Sequence, residues 1–91
     1  MVDNAEYRCD VLAANIKRFR LAKGYSQGKV AELINTSSHI SVMRWENRVR
    51  VPSSISLYLL AKCLDVSIDR LFMTDEEWAE FCLKKGEQHD S

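Results

Sequence analysis

The chain has 91 residues, 46% of them apolar, which suffices for one small domain with its own core but argues against a multidomain enzyme. With only three glycines and one proline, the composition favours helices over small β-sandwiches and barrels, and we predict an all-α protein. The formal net charge is zero, but residues 8–52 hold nine lysines and arginines against three acidic residues, and residues 53–91 hold four against eight. This separation favours a basic face for a polyanion; the alternative is ordinary solvated surface charge.

The cysteines and histidines do not form a pattern typical of metal or redox sites. Cys9, Cys63 and Cys82 are far apart and include no Cys-x-x-Cys pair, and His39 and His89 are equally isolated. The sequence also contains no catalytic triad and no phosphate loop, so we expect no enzyme, no metal and no cofactor. No apolar run approaches the roughly 18 residues of a transmembrane span, and the first residues do not form a signal peptide. We therefore expect a cytoplasmic protein with no membrane partner.

Two helices are predicted in the first third of the chain. Apolar residues at three- and four-residue steps predict a first helix over about 5–23, which Gly24 ends in a left-handed conformation. Ser26 is the predicted N-cap of a second, short helix that runs to about Ile34. Asn35 follows it, and asparagine is one of the few residues other than glycine that tolerates a positive φ.

A third helix is predicted over about residues 38–47. Val42 and Trp45 lie three residues apart and define its buried side, so Ser38, His39, Ser41 and Arg44 are expected to face outward. Residues 48–51 have no helical pattern and lead into Pro52, which disfavours helix in the residue before it. This stretch is interpreted as a linker.

A fourth and a fifth helix complete the predicted core. Ser53 or Ser54 begins the fourth helix, which extends to about Asp65. Ser67 is the predicted N-cap of a short fifth helix whose Ile68, Leu71 and Phe72 help to close the core.

A last helix begins at a capping box formed by residues 74–77, where acidic residues also suit the positive end of the helix dipole. We predict that it stops at residues 85–86, before a polar and disordered tail over 87–91.

Six short motifs carry a family resemblance. They are IKRFR at residues 16–20, GYSQ at 24–27, VAE at 30–32, RWEN at 44–47, PS at 52–53 and LAKCLDVSIDRL at 60–71. In order and spacing they resemble the lambda-repressor-like, Cro/CI-type helix-turn-helix regulators, known as the XRE family. The resemblance implies a compact five-helix DNA-binding domain over residues 12–72. Residues 1–11 are then an N-terminal extension of helix one, and residues 73–91 form an additional C-terminal helix and polar tail.

The chain departs from the family pattern between the second and third helices. From Ser26 to Glu46 it is one residue longer than usual, and we place the extra residue within 35–37, where the usual glycine of the turn is absent. The register of the third helix is therefore open by one position, so Ile40 lies either on the exposed face or in the core. Leu21 also stands where the family commonly has a charged residue.

The resemblance implies that the third helix enters the DNA major groove, where base edges present distinct patterns of donors and acceptors. Candidate base contacts lie on that helix, and candidate phosphate contacts follow it or begin the second helix. The expected DNA-binding residues are Gln27, Ser37, Ser38, His39, Ser41, Arg44, Asn47, Arg48 and Arg50. Of these, Arg44 can bind guanine bidentately, and Gln27 takes the family's role of contacting a phosphate and supporting the third helix.

Three further residues are assigned to structure. The family typically pairs the positions of Arg20 and Glu46, which joins the first helix to the end of the third, so we expect a partly buried salt bridge there. Trp45 shares a stripe with Val42 and is interpreted as a core residue, not as a platform for base stacking.

These observations predict a sequence-specific, double-stranded DNA-binding regulator of transcription, acting as a repressor. Because one such module makes few base contacts, the family usually dimerises across half-sites roughly 34 Å apart, and we expect a homodimer. Its surface is left open between Trp78, Phe81 and Cys82 of the last helix and Tyr58 and Leu59 of the fourth. The last helix alternatively packs onto its own domain.

The alternative function is that of a protein-interaction adaptor or an antitoxin-like module with weak DNA binding. Its protein partner would bind through the C-terminal helix, and the acidic run at residues 75–77 favours this hypothesis.

Overall fold

The computed structural model describes the backbone of residues 4–35 and 38–90, and the side chains of residues 8–35 and 38–84. Over these residues the chain forms six helices and no strand. The helices are α1 (Asn4–Ala22), α2 (Gln27–Leu33), α3 (His39–Glu46), α4 (Ser54–Leu64), α5 (Ile68–Leu71) and α6 (Asp75–Asp90). The all-α prediction is confirmed. No helix in the described part of the chain is both long and apolar enough to cross a bilayer.

The helices begin where hydroxyl side chains satisfy free backbone amides. Ser26 is the N-cap of α2 and accepts a hydrogen bond from the Lys29 amide at 2.9 Å, while Ser53 and Ser67 serve α4 and α5 in the same way. At the start of α6, the Glu77 amide donates to the Thr74 hydroxyl, and the Thr74 amide donates to the Glu77 carboxylate. This reciprocal pair is the predicted capping box.

Two left-handed residues set the turns on either side of α2. Gly24 has a φ of 77° after α1, and Asn35 has a φ of 60° after α2, as their residue types predict. The extra residue was expected within 35–37, and Thr36 and Ser37 lie outside the described residues.

One core forms where the first five helices meet. Its buried side chains are Leu12, Ile16, Val30, Ala31, Ile34, Val42, Trp45, Leu60, Ala61, Leu64 and Leu71. Truncating a large aliphatic side chain in such a core costs about 2–5 kcal/mol, because the cavity left behind closes only partly. The packing therefore fixes how α3 lies against α1 and α2.

A buried asparagine ties α1 to the segment between α5 and α6. Asn15 is only 6% exposed, and its side-chain nitrogen lies 2.9 Å from the carbonyl oxygens of both Leu71 and Met73, and 3.3 Å from that of Arg70. These contacts satisfy carbonyl groups after α5, where no further turn of helix donates to them. The amide thereby anchors the point from which α6 departs.

The structure corrects two expectations about the second half of the chain. The prediction that the last helix stops at residues 85–86 is wrong, because α6 continues through Gly86 to Asp90; the predicted disordered tail is thus helical up to that residue. A glycine costs about 1 kcal/mol relative to alanine within a helix but does not end it, and no proline follows. Ile68 was expected to face inward but is 41% exposed. Leu71, the third residue after it, is buried as expected, and Phe72 packs partly buried against the core.

Candidate nucleic-acid interface

Helix α3 has one buried and one exposed face. Val42 is fully buried and Trp45 is 8% exposed, and both pack in the core as their spacing predicted. The opposite face carries Ile40, which is 40% exposed, and Met43, which is 37% exposed. Of the two positions that the sequence left open for Ile40, the exposed one is therefore correct.

Most of the residues expected to contact DNA lie at the surface on or beside α3. Those that are exposed are His39, Arg44, Asn47, Arg48 and Arg50. Those that are half-buried are Gln27, Ser38 and Ser41. Ser38 is the N-cap of α3, and its hydroxyl accepts a hydrogen bond from the Ile40 amide at 3.0 Å. Ser37 lies outside the described residues.

The Glu46 carboxylate joins three helices at the end of α3. Arg20 of α1 donates to it through two nitrogens, with Nε 2.6 Å from Oε2 and Nη2 3.1 Å from Oε1. Gln27 of α2 donates to Oε1 as well, at 3.0 Å. The third guanidinium nitrogen of Arg20 donates to the carbonyl oxygen of Tyr25 at 2.9 Å. The Arg20 and Glu46 side chains are 9% and 3% exposed, so the pair that the resemblance implied is a buried, bidentate ion pair.

The end of α3 turns through a residue with a positive φ. Arg48 has a φ of 63°, its amide donates to the Trp45 carbonyl at 3.3 Å, and the Val49 amide donates to the Arg44 carbonyl at 2.8 Å. These bonds form the Schellman pattern that often ends helices, with an arginine in the place that glycine usually takes. The turn places the backbone of Arg48 and Arg50 beside the last turn of α3.

The arginines of this region differ in their partners. Within residues 8–35 and 38–84, no carboxylate forms a salt bridge with Arg44 or Arg50. Arg48, by contrast, donates from Nη1 to the Oδ1 atom of Asp10 on α1. Both side chains of that pair are more than half exposed. Arg44 and Arg50 are thus available to an external anion, whereas Arg48 already holds an internal one.

The acidic start of α6 is paired with arginines of α1 and α5. Arg18 and Arg70 each lie 2.6 Å from Asp75, and their hydrogen bonds, that from Arg18 first, hold the pKa of Asp75 well below its usual range. Arg8 lies 2.6 Å from Glu77, and its hydrogen bond, followed by that of the Thr74 amide, lowers the pKa of Glu77 to about 2. These carboxylates therefore stay ionised and pair with arginines other than Arg44.

Sequence reasoning missed two features of this surface. Met43 follows Ile40 by three residues, so helical spacing was sufficient to place it on the same exposed face once the register was known. Asp10 gave no signal, because its contact with Arg48 spans 38 positions of the chain. Over the described residues, no group of three or more His, Cys, Asp or Glu side chains is placed to hold a metal ion.

Comparison with known proteins places this geometry in a family. Among solved structures, the chain is similar to that of a hypothetical transcription factor, NHTF, from Neisseria, with a TM-score of 0.72 and 25% identity. The similarity covers 80% of this chain and 83% of that one. No curated protein sequence matches the chain. The helix-turn-helix family, however, matches residues 16–71, which is more than half of the chain and includes the motifs from the first helix to the fifth. The chain therefore belongs to the helix-turn-helix family.

Proposed function

We propose that the protein is a sequence-specific regulator of transcription that binds double-stranded DNA, represses its target genes and inserts α3 into the major groove. Membership of the helix-turn-helix family and the similarity to a hypothetical transcription factor support a DNA-binding regulator. In this proposal residues 12–72 form the DNA-binding domain, residues 1–11 extend its first helix, and residues 73–91 form a C-terminal helical appendage. The observation that carries the proposal is the exposed face of α3, which lies beside two arginines that hold no carboxylate in the described part of the chain.

Helix α3 supplies the groups that read bases. The Arg44 guanidinium can donate two parallel hydrogen bonds to the O6 and N7 atoms of guanine, and His39 at the start of the helix can donate or accept. Ile40 and Met43 add an apolar surface that suits the methyl group of thymine. Ser41, half-buried between them, can contact the edge of a base as donor or acceptor.

Residues around α3 supply contacts with the phosphate backbone. Arg50 and Asn47 are exposed at the end of the helix, where phosphate contacts fix the orientation of a protein on the duplex without reading sequence. Gln27 at the start of α2 is a further candidate for a phosphate contact, and Ser38 at the start of α3 remains a candidate for a base contact. The hydrogen bond from Gln27 to Glu46 supports its second expected role, which is to hold α3 in place.

We propose further that the protein binds as a homodimer. A single α3 offers few base contacts, and two copies separated by one turn of DNA, roughly 34 Å, would double them. Tyr58 on α4 is 52% exposed and is available for such a contact. The Trp78 ring instead stacks on Phe81 at 5.3 Å and lies against the Arg70 guanidinium, so this side of α6 is partly packed against its own domain.

Selection from a pool of random duplexes, followed by affinity measurements on the selected and on random DNA, tests the proposal. Binding of random DNA should weaken steeply as salt is raised, because each neutralised phosphate releases counterions. Arg44→Ala should reduce the preference for the selected duplex by about 1–3 kcal/mol, which is the discrimination of one bidentate base contact. Lys84→Ala removes the same charge from exposed α6 and should leave that preference unchanged. If no duplex is enriched, or if both variants behave alike, the proposal is wrong.

A second candidate function is a protein-interaction adaptor or an antitoxin-like module that acts through α6. The observation that favours it is the exposed side of this helix, where Leu83 is 69% exposed and next to the exposed Cys82. An adaptor would bind random duplex weakly at every salt concentration, so the same titration separates the two functions.

A further inference from the structure

Asp10 and Arg48 form a surface contact between α1 and the turn that ends α3. The Arg48 Nη1 atom donates to Oδ1 of Asp10, and the two side chains are 59% and 57% exposed. Their guanidinium and carboxylate groups are therefore in contact with each other and with solvent at once. Unlike the pair between Arg20 and Glu46, this contact is open to competition from outside.

The position of Arg48 places this contact at the proposed DNA interface. Arg48 is separated from Arg44 by one turn of chain, and its backbone is held by the two hydrogen bonds that close the end of α3. Arg50 follows two residues later and is also exposed. If α3 lies in the major groove, its C-terminal turn meets the phosphates at the edge of that groove.

A carboxylate and a phosphate compete for the same donor atoms. Both anions accept hydrogen bonds from a guanidinium group, and the Nη1 hydrogen of Arg48 that Oδ1 of Asp10 accepts cannot be donated to a phosphate at the same time. The Asp10 charge also repels a phosphate brought close to Arg48. An exposed ion pair is weak, however, because water and salt screen it, so an incoming phosphate can displace the carboxylate.

We propose that Asp10 is an internal competitor of DNA that occupies Arg48 in the free protein and lowers the affinity for every duplex alike. This inference rests on the proposed function and adds a residue of α1 to it. Asp10 touches no base in this scheme, so it changes affinity without changing the preference for one sequence over another. Its effect is to limit binding to random DNA, where phosphate contacts supply nearly all of the affinity.

The test measures binding of selected and random duplexes to the full chain and to Asp10→Asn. The asparagine keeps the shape of the side chain and removes its charge, and both positions are exposed, so thermal unfolding should stay close to that of the wild type. We expect Asp10→Asn to bind both duplexes roughly twofold to fivefold more tightly at low salt, which is the range expected for removal of a surface ion pair. The gain should shrink as the salt concentration is raised.

Two controls separate competition for Arg48 from a general change of charge. Glu80→Gln removes one exposed carboxylate from α6, for which no ion pair is present among the described side chains, and it should tighten binding less than Asp10→Asn. In an Arg48→Ala background, Asp10→Asn should tighten binding no more than Glu80→Gln does.

The outcomes distinguish this inference from the proposed function. Suppose that the wild type binds duplex DNA tightly, and that Asp10→Asn lowers the affinity or increases it no more than Glu80→Gln does. This result overturns the competition and leaves the proposed function intact. A gain that persists in full without Arg48 also overturns it. If neither the wild type nor Asp10→Asn binds any duplex, the proposed function and this inference are both overturned.

Discussion

Replacing Arg20 by alanine should lower the free energy of unfolding by about 3–5 kcal/mol, which is the usual effect of removing one partner from a buried ion pair. The Glu46 side chain is 3% exposed, so without Arg20 its carboxylate would lie buried without a cation, and among the described residues the hydrogen bond from Gln27 would remain. The carbonyl oxygen of Tyr25 would also lose its donor. The cost arises from the charge left behind more than from the contact removed.

Thermal and urea unfolding followed by circular dichroism measure this effect. For a domain of this size, 1 kcal/mol shifts the midpoint of thermal unfolding by roughly 4–8 °C, so Arg20→Ala should unfold at least about 12 °C below the wild type. Arg18→Ala is the matched control, because it breaks an ion pair whose side chains are 49% and 65% exposed and leaves Asp75 bound to Arg70. Its expected cost is about 1 kcal/mol or less.

Equal costs for Arg20→Ala and Arg18→Ala would falsify this reasoning, since burial of the Glu46 charge would then have no measurable consequence. A double variant gives an independent check. Arg20→Met combined with Glu46→Met leaves no unpaired charge and should be more stable than Arg20→Ala alone, because two apolar side chains replace the pair. A double variant less stable than Arg20→Ala contradicts the same account.

Two further predictions concern the backbone and pH. Gly24→Ala should destabilise the fold by about 1–2 kcal/mol in thermal unfolding, because a side chain disfavours its φ of 77° even though no heavy atom lies within 4 Å of the added Cβ. Gly28→Ala, within α2, should instead be neutral or stabilising, and a loss equal to that of Gly24→Ala would contradict the conformational explanation. The pKa of Glu77 is lowered to about 2 in the folded protein, so its contribution to stability is complete above its usual pKa of 4.5 and is lost as the pH falls below it. Urea midpoints should therefore decline between about pH 5 and pH 2 more steeply for the wild type than for Glu77→Gln, and identical slopes would show that the Arg8 contact does not stabilise the fold.

Local sequence signals predicted most of the helix starts. Ser26, Ser53 and Ser67 each combine a short side chain that accepts from a nearby amide with an apolar pattern that begins directly after it. Gly24 and Asn35 were equally predictable, because few residues other than glycine and asparagine adopt a positive φ readily. All of these signals act within four residues of the feature they specify.

The end of α6 was predicted wrongly for a related reason. Gly86 weakens a helix without breaking it, and a stop requires a left-handed residue, a proline or packing that forces the chain to turn. At Arg48 the error is the reverse. No left-handed residue was predicted in the linker, but Arg48 adopts a positive φ there. The two hydrogen bonds that close the end of α3 hold Arg48 in this conformation.

Some long-range contacts were predicted from the family resemblance, and others were not predicted at all. The pairing of Arg20 with Glu46 spans 26 positions and was expected only because the family commonly pairs them. Asn15 binding the Leu71 and Met73 carbonyls, and Asp10 binding Arg48, have no periodicity or motif behind them. Such contacts depend on how the helices pack. Apolar spacing predicts which face of a helix is buried, but not which polar side chains of two helices meet.

The shared acceptor at Glu46 has a consequence for how the protein would meet DNA. Arg20 and Gln27 tie the C-terminal end of α3 to two other helices in the free protein, so the orientation of α3 is set before a duplex binds. In the proposed complex this part of the protein docks as a preformed body, and little conformational entropy is lost on association. The association rate is then set by diffusion and by the electrostatic attraction between the arginines and the duplex, and it is not limited by a folding step.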